Sequence, residues 1–345
     1  MKTSTKILSL LLAAFMILSL AACGQGEAGE STSTDQTQKT NVSVAALKGP
    51  TGMGMVKLMK NADQAITANN YSFSIESDPS LIGPKLIKGE VDIAACPLNM
   101  AAALYNKTKA TDDTKDDLKL LAINTLGVLY ILENGNSIKS FEDLRGKTVY
   151  ATGLAATPQY AFNYILTENG LDPAKDLTIE YKAEHSELAT LAAKGDAKIL
   201  LLPEPFVTTV LNKNENIKQA LDLTEEWERI TQADGESTSF AMGALVVRAD
   251  FAKENPQALE AFLSEYKESV DYVNQNQSEA AALIVNYDIV ADLKLAQDAI
   301  DGSKLTFIIG SEMKETALAN YEVLFNADKA SVGGALPDDD FFYNS

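Results

Sequence analysis

Few residues in this 345-residue chain are equipped for covalent chemistry. His185 is the single histidine, which excludes a metal site built from several histidines. A Ser-His-Asp set would depend on His185 alone, in the polar stretch Glu184-His185-Ser186, which reads as a solvated turn. Cys96 closes the apolar run that follows Val91 and reads as a packed side chain more readily than as a reactive thiol. These residues point to a protein that binds without turnover and needs no cofactor.

The binding chemistry is concentrated in two stretches where an apolar run meets a Gly/Pro turn and a helix start. In the first, Val42 to Leu47 runs into Gly49-Pro50-Thr51-Gly52-Met53. Glycines let backbone approach a ligand, and the helix start behind them directs unpaired N–H groups at it. Two nucleotide motifs fail on the letters: Met55 and Val56 stand where a phosphate loop needs Lys and Ser/Thr, and Lys57 replaces the third glycine of a dinucleotide fingerprint. Either the turn is one jaw of a ligand cleft, or it serves chain reversal only.

The second stretch, Thr152 to Pro158, repeats this logic. Ala155, Ala156 and Thr157 would offer N–H groups, and Thr51, Asn99 and Thr157 neutral side-chain donors. Asn99 would also cap a short helix over Met100 to Tyr105. Tyr130, Tyr160 and Trp227 are candidates to wall an apolar or ring-shaped ligand part, or else belong to the core. Glu204, held between Pro203 and Pro205, either bonds a ligand amine or ring N–H or acts as a structural cap.

The elements that must position these residues alternate strand and helix, which predicts an α/β chain with parallel sheets covered on both faces. Leu118 to Glu133 is too long for one strand, so a break is expected near Asn124 to Gly127. Ser239 to Val247 should carry the chain back. The expected division is one lobe from 41–125 and 241–345 and a second from 126–240. A helix is expected over Met55 to Ala68 and another from Asn255-Pro256, with a polar loop around Trp227 and a surface-wrapping tail after Ser331.

Residues 1–22 carry Lys2, Lys6 and an apolar run from Ile7 to Leu20, the layout of a secretory signal peptide. The run ends Leu20-Ala21-Ala22-Cys23, which resembles a bacterial lipobox and implies lipidation of Cys23. Residues 23–40 read as a flexible tether, since Gly24 to Thr40 holds no large apolar residue. The formal charge of −19 argues against nucleic acid as a partner.

Together these features resemble the solute-binding lipoproteins of bacterial ABC importers. Ser140-Phe141-Glu142-Asp143-Leu144-Arg145-Gly146-Lys147 is similar to that group's entry into the second lobe. Gly195-Asp196 followed by Pro203-Glu204-Pro205-Phe206 is similar to its Glu-Pro motif. Both place the chain in the branch that binds nitrate, sulfonates, taurine and thiamine-pyrimidine precursors. The resemblance implies two Rossmann-like lobes joined by two hinge crossings, the type II periplasmic-binding-protein fold. It further implies a monomer that captures a small organic or oxyanion ligand at the outer face of the membrane and delivers it to ABC permease subunits. A sensor lipoprotein without a transporter, or a secreted enzyme related to thiamine-pyrimidine synthases, is the alternative.

Overall fold

The computed structural model describes residues 39–109, 118–154, 156–233 and 238–344. The expected signal segment, Cys23, most of the tether and Ala155 lie outside these residues. Strand β1 (Asn41–Leu47) is buried on both faces: Val42, Val44 and Ala46 enter one apolar layer, Ala45 and Leu47 the other. It runs into α1 (Pro50–Met53) and α2 (Val56–Asp63). The second helix stops short of the expected Ala68. Ala65 takes the left-handed conformation at φ 57°, and Ile66 N–H bonds back to the Asn61 carbonyl.

The first lobe continues through β2 (Asn70–Glu76), α3 (Ile82–Ile87), β3 (Ile93–Pro97), α4 (Leu98–Lys109) and β4 (Leu118–Leu126). The chain then enters the second lobe: β5 (Leu129–Asn134), β6 (Thr148–Ala151), α5 (Thr157–Glu168), β7 (Thr178–Tyr181), α6 (His185–Lys194), β8 (Ile199–Pro203), α7 (Phe206–Lys213), β9 (Ile217–Asp222) and α8 (Leu223–Ala233). It returns through β10 (Ala241–Arg248), α9 (Ala249–Glu254), α10 (Pro256–Gln275), α11 (Gln277–Asn286), α12 (Leu293–Ala299), β11 (Leu305–Ile308) and α13 (Gly310–Ala327).

The six-stranded sheet has the order β11-β4-β10-β3-β1-β2 and the five-stranded sheet β7-β6-β8-β5-β9. Neither is the purely parallel sheet the alternation predicts. β1 runs parallel to β2 and β3, and β6 to β7 and β8, but β10 and β5 pair antiparallel with both of their neighbours. The reason is the crossing itself. A strand arriving from the other lobe enters its sheet from the opposite end and inserts against the βαβ unit.

The first crossing is Gly127-Val128, between β4 and β5. Glycine is required there: a Cβ on Gly127 would lie 2.0 Å from Thr224 Oγ1 and 2.8 Å from the Phe240 ring. At the second crossing, buried Asn320 of α13 accepts from Ala241 N–H at 3.0 Å and donates to the Ser239 carbonyl at 2.9 Å. The tail wraps α4: Phe341 packs on Tyr105, Asn106 donates to the Val332 and Ala335 carbonyls, and Lys109 pairs with Asp338.

Candidate functional site

A cleft of about 680 Å³ opens between the lobes. It lies at the carboxyl ends of β1, β3, β6 and β8, where α/β sheets present their helix starts. Four helices of eight or more residues begin at this rim: α4 directly after Pro97, α5 at Thr157, α6 at His185 and α7 at Phe206. Each leaves first-turn N–H groups without intrahelical acceptors, and each carries partial positive charge at that end. The lobes touch across the cleft. Thr157 Oγ1 donates to Asn99 Oδ1 at 2.7 Å, and a Cβ on Gly49, at φ 96°, would lie 3.9 Å from Pro205 Cδ.

Six of the expected residues line the cleft: Gly49, Pro50, Thr51, Ala156, Thr157 and Glu204. Gly52 and Met53 are buried beneath it. A Cβ on Gly52 would lie 2.3 Å from the Leu47 carbonyl oxygen, and Met53 Sδ accepts from Ser303 Oγ at 3.3 Å. Asn99 is buried within the first turn of α4 and caps nothing; it bonds the Ser331 carbonyl and Thr157 instead.

The three expected aromatic walls are core residues. Trp227 is fully buried on α8, not in a loop, stacked on Phe240 at 4.7 Å and edge-on to Tyr164 at 5.3 Å. Tyr130 packs among Leu132, Leu200 and Val207, and burial pushes its phenol up to about 12. Tyr160, raised by burial as well, joins the first lobe's apolar layer with Tyr321. Phe206 and Met242 supply apolar cleft surface in their place.

Sequence reasoning missed His185, which lines the cleft as the first residue of α6. Its Nδ1 bonds Thr152 Oγ1 at 2.6 Å and its ring packs on Phe206 at 5.0 Å. Burial pushes its pKa down to about 4, so the imidazole is neutral at pH 7. Nε2 has no protein partner among the described residues. The signal was available: a helix start directly after the strand ending at Tyr181 repeats the pattern read at Pro50 and Thr157. Ser77 and Ser80, also unforeseen, line the opposite wall, where Asp78 accepts from Ser80 N–H at 2.8 Å.

The cleft is poor in cationic side chains. Lys48 is the one Lys or Arg among the described lining residues, and it pairs with Asp288 at 2.6 Å. Glu204 is 7% exposed; its two oxygens accept from Thr208 N–H at 3.1 Å and Thr208 Oγ1 at 3.0 Å. Burial holds its carboxyl above the usual range. Among the described residues no group of three or more His, Cys, Asp or Glu could hold a metal, and no helix is long and apolar enough to cross a membrane.

Comparison with known proteins follows the same architecture. The structure is similar to an ABC transporter protein of Parabacteroides distasonis, 23% identical, with TM-score 0.73 over 89% of this chain and 99% of that one. It is similar to the periplasmic aliphatic sulphonate binding protein SsuA of Escherichia coli, 14% identical, with TM-score 0.69 over 89% and 93%. It also resembles the periplasmic nitrate-binding protein NrtA of Synechocystis, 15% identical, with TM-score 0.53 over 89% and 92%. A search of curated proteins finds no match. Residues 85–298 match the family model described as ABC transporter, phosphonate, periplasmic substrate-binding protein; the chain belongs to that family of periplasmic substrate-binding proteins.

Proposed function

We propose that this protein is a lipid-anchored, monomeric, non-enzymatic carrier that binds a small organic ligand through a tetrahedral oxyanion head, phosphonate or sulfonate, and hands it to the permease of an ABC importer. The observation that carries this reading is the set of helix N-termini, α4, α5 and α6, around a cleft with almost no cationic side chains; the fourth, α7, already gives its Thr208 N–H to Glu204. Fixed N–H dipoles satisfy an oxyanion without a full countercharge, as helix N-termini do for phosphate and sulfate. Neutral His185 adds Nε2 as a donor when Thr152 donates to Nδ1, and the hydroxyls of Thr51, Ser77 and Ser80 add more.

Glu204 sets the other end of the ligand. Its carboxylate is buried at the cleft with Thr208 as its bonded partner and, among the described residues, no cation paired with it, so a ligand ammonium would offset the desolvation. The favoured cargo is therefore zwitterionic, an aminoalkyl phosphonate or sulfonate. Contacts from both lobes, taken as 41–125 with 241–345 and 126–240, favour the closed arrangement that the permease would read.

Calorimetric titration tests the cargo. 2-Aminoethylphosphonate is expected to bind one per chain and more tightly than ethylphosphonate, with Glu204→Gln abolishing the preference. Equal affinities in the wild type would reduce Glu204 to a cap of α7. Membrane fractionation tests the anchor: Cys23→Ala is expected to move the protein from the membrane to the soluble fraction, and unchanged partition would contradict lipidation.

A further inference from the structure

The Thr157 hydroxyl and the Asn99 amide were candidates to hold the ligand, yet their hydrogen-bonding capacity is directed elsewhere. Thr157, 1% exposed, donates to Asn99 Oδ1 at 2.7 Å. Asn99, 7% exposed, donates through Nδ2 to the Ser331 carbonyl at 3.1 Å. That second bond fixes which way the amide faces, leaving Oδ1 toward α5. The chain of bonds therefore runs from the wrapping tail, through α4 of the first lobe, to the first residue of α5 in the second.

We propose that the Thr157–Asn99 hydrogen bond is a closure latch, a buried lobe-to-lobe bond formed when the cleft closes on ligand, which raises affinity without either side chain touching the ligand. The inference rests on the oxyanion reading only for the choice of probe. Opening the cleft swings the first turn of α5 away from α4 about the apolar seat of Tyr160 beside Tyr321, and the Thr157 hydroxyl and Asn99 Oδ1 then turn to water. Closing it without the bond leaves a buried acceptor unsatisfied, which is where the asymmetry arises. A second lobe-to-lobe bond, Asn212 Nδ2 to Asp298 Oδ2 at 2.9 Å, is exposed, so water competes for both partners in either state.

Thr157 has two separable parts. Its backbone N–H belongs to the helix start offered to the ligand, and its hydroxyl belongs to the latch. Asn99 acts through Thr157 and is a positioning residue. Its own amide is held by the tail, so closure is coupled to the seating of residues 331–341 against α4.

Thr157→Val keeps the side-chain shape and removes the donor; Thr157→Ser restores it. With methylphosphonate and ethanesulfonate as probes, Thr157→Val is expected to weaken binding about tenfold, chiefly through faster dissociation, with Thr157→Ser near wild type. Melting of the ligand-free protein is expected to be the same for Thr157→Val as for wild type, since the latch is open there. Wild-type affinity in Thr157→Val would overturn the proposal. So would a ligand-free melting temperature lowered by several degrees, because the bond would then be a permanent part of the fold. If the wild type binds neither probe, the oxyanion reading fails separately, and the ligand-free melting comparison still decides for or against the latch.

Discussion

At the scale of the residue, His185 shows how neighbours change the meaning of a side chain. In the sequence it stands between Glu184 and Ser186 and reads as solvated; in the fold Thr152 and Phe206 enclose it. Its pKa falls from 6.5 to about 4, so the unfolded chain binds the extra proton first. Its contribution to stability is intact above pH 6.5 and is lost as pH falls towards 4. Thermal melts between pH 7 and 4 are expected to show this decline, and His185→Gln is expected to flatten it; an unchanged slope would place the ring in water. Glu204 works in the opposite sense. Its raised carboxyl pKa penalises the folded state at neutral pH, and that penalty is relieved as pH falls through the raised value.

At the scale of the element, the strand-loop-helix units were legible because apolar runs, Gly/Pro turns and helix starts leave local marks. The turns at Gly49 and Gly153 both reach the cleft. What local pattern could not show was depth. Gly52 sits in the same turn as Gly49, yet one faces the cleft and the other the Leu47 carbonyl. Gly52→Ala is therefore expected to destabilise the protein by about 1–3 kcal/mol, read by denaturant unfolding, and not to weaken ligand binding selectively. Full stability with lost binding would return Gly52 to the ligand site. The same blindness moved Trp227, Tyr130 and Tyr160 from cleft to core, because an aromatic at helical or strand spacing looks alike in either place.

At the scale of the whole molecule, the two long apolar runs gave away the crossings, and the crossings explain the mixed sheets. β9 and β11 were not read from periodicity: Lys218 beside Gln219 breaks the alternation in Ile217–Asp222, and adjacent Phe307 and Ile308 break it in Leu305–Ile308. The resemblance read from the Asp-Leu-Arg-Gly-Lys and Glu-Pro-Phe stretches pointed to sulfonate and nitrate carriers, and the family that matches is the phosphonate one. The cargoes in these names share an oxyanion, the group proposed above for the helix starts of this cleft. The hinge gives a further expectation. Gly127→Ala, whose Cβ would meet Thr224 and Phe240, is expected to alter the lobe angle and weaken ligand binding while leaving each lobe folded, as read by small-angle scattering and circular dichroism. Unaltered scattering and affinity would remove this glycine from the hinge.

In the proposed function, fixed N–H dipoles and a neutral imidazole hold an oxyanion in the cleft. Calorimetric titration of the purified protein with ethanesulfonate and methylphosphonate, set against the isosteric neutral ethanesulfonamide, tests it most directly. One-to-one saturable binding of at least one anion, with no measurable binding of the sulfonamide, is the expected result. Sulfonamide binding as tight as that of the anions, or no binding of either anion, would contradict it.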